Sequence, residues 1–164
     1  EKVDALKATK NDAEYALKNA KSEQFGIVEK AINAEMERIN NELYTERFNA
    51  PTIHFTDSNY NFFTPNDTGT GIAYKGMVVF DLAIMHLTKL PILVHDSVVL
   101  KQISDDAVES IINQYISCGK QVVIALDKQE SYSDKTAEML TQYAKLRLAP
   151  NGEELFGRSW GKKQ

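Results

Sequence analysis

The residues best placed to do chemistry in this chain are Asp96 and Ser97, at the end of Ile92-Leu93-Val94-His95-Asp96-Ser97. A short hydrophobic strand that runs into an acid delivers a carboxylate to the C-terminal edge of a sheet, where it can hold nucleotide-bound magnesium through water. Nucleotide binding is therefore the first function to consider. Its usual companion is a lysine-bearing phosphate loop of the form G-x-x-x-x-G-K-[ST], yet none of the eight glycines is followed by Lys-Ser or Lys-Thr. The phosphate cradle has to come from elsewhere. His95, beside the acid, is open to two readings: a satisfied structural histidine, or a group that tunes Asp96 or donates to phosphate. A hydrolase made of Asp96, His95 and Ser97 alone is disfavoured, because neighbours on a strand point to opposite faces. His54 and His86 have no metal-ligand spacing and read as structural. The single Cys118 excludes an internal disulfide and a cysteine metal site; it reads as a small buried hydrophobe and agrees with a reducing compartment.

The elements that must hold these residues follow from periodicity. Residues 1–48 contain no proline and only Gly26, and are rich in Ala, Glu, Lys and Asn. In their second half Phe25, Val28, Ile32, Met36, Ile39 and Leu43 recur at spacings of three and four, the stripe of an amphipathic helix. The first half, with Val3, Leu6, Tyr15 and Leu17, reads as a solvated helix or as one half of a coiled coil. Gly26 leaves both a single long helix and a helical hairpin open. Pro51 ends this arm. Thr52–Thr56 and Tyr60–Phe63, flanking Asp57-Ser58-Asn59, predict a hairpin. Pro65–Gly71 is a loop of small and polar residues. Ile72, Gly76, Phe80, Ile84 and Leu87 predict a buried helix over about 71–88.

Ser104-Asp105-Asp106 predicts a capped helix start, and Val108, Ile111, Ile112, Tyr115 and Ile116 its core face. Cys118-Gly119 stops it. Gln121–Leu126 reads as a second strand, apolar on both faces as in a parallel sheet covered by helices. Ser133 caps a further helix to about Lys145, and Leu146–Leu148, Asn151-Gly152 and Leu155-Phe156 predict a closing hairpin. The fold class is α/β: a helical or coiled-coil arm over 1–48, then an α/β lobe over 49–164 with a parallel-type sheet and flanking helices.

Composition narrows the functions. A net charge of -4 and a pI near 5.4 argue against a domain that coats nucleic acid, so DNA contact is possible only locally. No run approaches the roughly 18 apolar residues of a membrane span and no signal-peptide pattern opens the chain, so a cytoplasmic location and no membrane partner are expected. The chain begins at Glu1 inside a helical pattern, as a piece of a longer polypeptide would.

The order of long polar helix, small-residue loop, buried helix, strand ending in Asp, helix and strand resembles the C-terminal lobe of an SMC-type ABC ATPase head. More narrowly, Phe80-Asp81-Leu82-Ala83-Ile84 followed by Leu93-Val94-His95-Asp96-Ser97 resembles the C-terminal domain of unknown function of bacterial SMC-like ATPases. The likeness spans about 25–164 and is most specific over 67–97. It implies that Thr68, Gly69, Thr70 and Gly71 form the signature loop that contacts ATP on another subunit, with Thr68 or Thr70 replacing the signature serine. It implies that Asp96 is the Walker B acid, holding Mg through water, and that Ser97 stands at the position of the catalytic glutamate. A hydroxyl with no nearby base cannot accept a proton as a carboxylate does, so hydrolysis is in question. Asp127 takes the switch position, usually a histidine. The implied cofactors are ATP and Mg in the full-length protein and none in the isolated chain, which is expected to be inactive. The implied partners are a Walker A lobe of the same polypeptide and a second head, in DNA repair, chromosome maintenance or phage defence. A non-catalytic coiled-coil dimerisation or interaction module on a degenerate ATPase scaffold is the alternative.

Overall fold

Lys2–Leu43 form one unbroken helix, α1, of 42 residues, about 63 Å long at 1.5 Å per residue. Gly26 does not interrupt it. This computed structural model describes residues 1–44, 46, 48–149 and 153–157, which fall into two compact units, 1–127 and 128–164. Every side chain of α1 up to Val28 is exposed. Of the predicted stripe, Ile32, Met36, Ile39 and Leu43 are buried, whereas Phe25 and Val28 stay largely open, Phe25 resting on the Phe55 ring at 5.5 Å.

Pro51 turns the chain into an antiparallel hairpin, β1 (Thr52–Phe55) and β2 (Tyr60–Phe63), paired Ile53 to Phe62 and His54 to Asn61. The other edge of β1 is satisfied by α1. The Asn33 amide donates to the Ile53 carbonyl at 2.9 Å and accepts its N–H at 2.8 Å, and Glu29 accepts the Phe55 N–H at 2.8 Å. Two helix side chains thus do what a third strand would do, covering an edge that would otherwise be open to pairing.

Helix α2 (Thr70–Leu87) buries Lys75, Gly76, Val78, Val79, Leu82, Ala83 and Met85, a different face from the expected one. Of the five positions predicted to face the core, Gly76 is buried, Ile72, Phe80 and Ile84 are half-buried, and Leu87 is exposed. Periodicity missed the face because a lysine lies on it. The Lys75 ammonium donates to Asn40 Oδ1 at 2.9 Å and sits 5.1 Å from the Tyr44 ring centroid, which replaces part of the hydration it has lost. Burial still pushes its pKa down. Gly76 keeps α2 close to Pro51, which an added Cβ would meet at 3.4 Å. At the other end of α2 the Lys120 ammonium donates to the free carbonyls of Met85 and Thr88, where the helix dipole favours a cation. By length and composition α2 alone among the described helices would suffice to cross a membrane. Its buried stripe instead faces the core of this unit.

Strands β3 (Ile92–His95) and β4 (Gln121–Ile124) pair in parallel, joined through the short helix α3 (Ser97–Leu100) and the helix α4 (Asp105–Ser117). The core face of α4 is Ala107, Val108, Ile111, Ile112 and Tyr115, with Ile116 left exposed. Ser104 is its N-cap residue but makes no capping bond, so Asp105 and Asp106 in the first turn carry the favourable charge. The expectation of a sheet apolar and covered on both faces is corrected: Ile92, Val94 and Val123 are 43, 65 and 45 % exposed. Cys118 is half-buried rather than buried, with its thiol near the Tyr115 carbonyl at 3.1 Å.

The second unit holds a 3-10 turn at Gln129–Ser131 and helix α5 (Asp134–Tyr143). Gln129 ties them by donating to the Ala137 carbonyl and the Thr141 hydroxyl, at 3.1 and 2.6 Å. The Ser133 hydroxyl reaches Thr136 rather than a backbone amide. The closing hairpin does not form a strand among the described residues, although the Ala149 N–H donates to the Glu153 carbonyl at 3.2 Å; its turn, Asn151-Gly152, lies outside them. The fold is mixed α/β, with a long N-terminal helix and two small sheets.

Candidate functional site

Asp96 lies just past β3, exposed, and is the N-cap residue of α3: its Oδ1 accepts the Ser97 N–H at 2.7 Å. This is the C-terminal edge of a parallel pair, where α/β sheets bind ligands. One carboxylate oxygen is occupied by the chain and the other is available, a donor set that suits magnesium held through water and completed by phosphate oxygens. Among the described residues no three His, Cys, Asp or Glu side chains converge on a metal position, so any cation here would depend on such outside oxygens.

Ser97 is half-buried in the first turn of α3. The structure pairs it with no histidine, because His95 turns away from it. His95 is 5 % exposed, with Nε2 at 2.8 Å from Asp81 Oδ2 and Nδ1 at 2.5 Å from the Tyr115 hydroxyl. The Tyr115 hydroxyl and the Asp81 carboxylate thus occupy the two ring nitrogens, and burial, aided by the Asp81 charge, raises the Tyr115 pKa. This chain of contacts fastens the end of β3 to α2 and α4. It is inverted with respect to a nucleophile triad, since its hydroxyl end is buried and its carboxylate end is 42 % exposed.

Thr68 and Gly69 lead into α2, with Gly69 as N-cap residue, and Thr70 and Gly71 are its first two residues. The Gly69 N–H already donates to Asp67 Oδ1 at 3.0 Å, so an acid from the same loop sits at this helix end. Gly71 has a separate reason to be glycine: an added Cβ would lie 2.6 Å from the Gln102 carbonyl oxygen. The first turn of α2 and the turn after α3 are thereby in direct contact. Asp127, just beyond β4, makes an ion pair with Lys101 of that turn. Of the sequence-predicted positions, Asp96, Ser97, Gly71 and Asp127 thus lie around one short segment: Asp96 and Ser97 begin it, Gln102 abuts Gly71, and Lys101 reaches Asp127. His54 pairs with Glu29 at 3.0 Å and His86 with Glu35 at 2.7 Å, both structural positions.

The residue order and the site around it can be set beside known proteins. The model of one family, described as uncharacterised protein conserved in bacteria (DUF2326), matches residues 29–160. The chain belongs to this family. No curated protein matches this DUF2326 member. It is similar to a solved structure from the structural biochemistry of ATP-driven dimerization and DNA stimulated activation of SMC ATPases, with a TM-score of 0.51 and 14 % identity over 80 % of this chain and 81 % of that one. At that identity the likeness is one of fold: this family member and an SMC ATPase share an architecture.

Sequence reasoning missed the roles of Asp81, Lys75 and Lys101, and of Tyr115, placed correctly on the core face of α4, it missed the hydroxyl contact with His95. Asp81 lies within the Phe80–Ile84 run that marks the resemblance, and an acid in the middle of an apolar helix was the available signal. Lys75 gave a similar one. Lys101 gave none, because a lysine after a short turn is ordinary until the partner at the next strand end is known.

Proposed function

We propose that this chain is the C-terminal lobe of an SMC-like ABC ATPase head, which supplies a Walker B acid, Asp96, and a signature loop, Thr68–Gly71, to a nucleotide site completed by other parts. The observation that carries this reading is the half-finished parallel sheet with an available acid at its C-terminal edge. Parallel sheets occur with both faces covered, whereas this one has two strands and leaves Ile92, Val94 and Val123 open. A Walker A lobe of the same polypeptide would cover them. Asp96 would hold Mg through water, and bound ATP would draw two heads together so that the α2 N-terminus meets phosphate on the partner. The bound metal would neutralise charge on the phosphates. Ser97 would make turnover slow, since no carboxylate stands beside Asp96 to take a proton from water. The domains in this reading are a coiled-coil arm, 1–48, and a lobe, 49–164, in a cytoplasmic protein of DNA repair, chromosome maintenance or phage defence.

The decisive experiment is Asp96→Ala in the full-length polypeptide. Loss of Mg-ATP-dependent head dimerisation supports the proposal, and wild-type binding and turnover would end it. A second reading, a non-catalytic dimerisation or interaction module, is favoured by the open half of α1. There Val3, Leu6, Ala13, Leu17, Ala20 and Ile27 fall on heptad a and d positions. Light scattering of residues 23–164 against the whole chain separates the two, because only the module reading requires the exposed part of the arm to set the oligomeric state.

A further inference from the structure

Lys101 stands at the C-terminal edge of the parallel pair on a turn that is fixed from several sides. Its N–H donates to the Ser97 carbonyl at 2.9 Å, closing the turn that starts at Asp96. Leu100 and Ile103 on either side are 1 and 6 % exposed, anchoring the backbone in the core. The neighbouring Gln102 carbonyl meets Gly71. The backbone under Lys101 therefore cannot drift. Its side chain is different: 37 % exposed, it crosses from the β3 side to Asp127 at the end of β4, itself 50 % exposed.

We propose that Lys101 is a phosphate-binding residue for a nucleoside triphosphate held at the Asp96 edge, and that Asp127 is its counter-ion until nucleotide arrives. This rests on the nucleotide reading above and adds a residue and a resting state to it. Two acids, Asp96 and Asp127, lie at this edge and disfavour a polyphosphate, whereas Lys101, four residues beyond Ser97 and paired with Asp127, brings a cation to it. A half-exposed ion pair holds its members weakly, so a multiply charged phosphate outcompetes a single carboxylate for the same ammonium. The scheme also gives Asp127 a task at a position where the resemblance leads one to expect a histidine. A carboxylate cannot donate to a phosphate, but it can hold the cation that does.

The test measures binding of Mg-ATPγS to the full-length polypeptide by isothermal titration, with thermal melts of each variant alongside. Lys101→Met should weaken binding roughly tenfold or more, the effect of one charge-assisted hydrogen bond. Lys101→Arg should restore most of it. Asp127→Asn, which leaves Lys101 in place and frees it, should tighten binding roughly two- to fivefold, the scale of releasing a surface ion pair. The double variant should follow Lys101→Met. If wild type binds while Lys101→Met binds equally well, or Asp127→Asn binds no more tightly, the proposal is overturned and the nucleotide reading stands. If wild type itself fails to bind Mg-ATPγS, the nucleotide reading falls and takes this one with it.

Discussion

At the scale of single residues, His95 and Asp96 are neighbours in sequence with opposite duties. His95 is buried between Asp81 and Tyr115, while Asp96 is exposed and makes a single local bond to the Ser97 N–H. Replacing His95 with Ala should cost about 2–4 kcal/mol in urea unfolding, since it opens a cavity and strands the Tyr115 hydroxyl in an apolar site. Tyr115→Phe should cost about 1–2 kcal/mol, because the ring fills the same space and only the bond to Nδ1 is lost. Asp96→Asn should change stability by about 0.5 kcal/mol or less, because an Asn side chain caps a helix as well as Asp does. A His95→Ala protein as stable as wild type would refute the anchoring role. That role was not legible in the sequence. The pairing depends on Asp81 and Tyr115, and only the packing of α2 and α4 against β3 brings them together. What the sequence carried was the acid at the strand end, because alternation and burial place a strand terminus from local residues alone.

At the scale of elements, α1 is two structures in one helix. From Glu29 onward its side chains are taken up by the domain: Asn33 and Glu29 bind β1, Asn40 binds Lys75, and Arg38 joins Glu35 and Glu42, with His86 of α2 on Glu35. Before Glu29 the described long-range links are the Phe25–Phe55 ring contact and an exposed pair between Lys18 and Asp57, the latter of the kind worth little. Deleting residues 1–22 should therefore leave the unfolding free energy of the remainder within about 0.5 kcal/mol, read from urea curves. Asn33→Ala should cost about 1–3 kcal/mol, because it orphans both backbone groups of Ile53 at once. The same half of α1 sets an acid response. The Phe55 N–H and then His54 hold the Glu29 carboxyl below its usual value of 4.5, and Arg38, then His86, do so for Glu35. With folded values below unfolded ones, their contribution is complete above about pH 4.5 and is lost as pH falls through the folded values. Urea midpoints should thus fall from about pH 5 to about pH 3, and Glu29→Gln with Glu35→Gln should flatten that fall. The stripe from Ile32 to Leu43 could be read from periodicity, since it packs on one partner. The face of α2 could not, because its buried lysine answers to Asn40 and Tyr44 on α1 rather than to its own helix.

At the scale of the whole molecule, the two-stranded parallel sheet sets the terms. The sequence shows β3 and β4 as apolar on both faces, which is the pattern of strands meant to be covered twice, and the structure covers them once. On the reading proposed above, pattern and environment disagree because the pattern describes a larger assembly than these residues make. The disagreement can be tested directly through the exposed face. Val94 and Val123 are partners across the pair, 65 and 45 % exposed. In the isolated chain, Val94→Thr with Val123→Thr should leave the unfolding free energy within about 1 kcal/mol, because both keep β-branched shape and little burial is lost. It should also reduce self-association at high concentration, since it breaks up an open apolar patch. In the full-length polypeptide the same pair of changes should cost more than about 2 kcal/mol, as buried hydroxyls without partners do. The contrast is the useful quantity, because a sheet face that is solvent-facing in both proteins would give the same small effect twice. Equal effects would mean that β3 and β4 are a finished sheet, and Asp96 would then sit at the edge of a closed scaffold rather than at the rim of a divided nucleotide site.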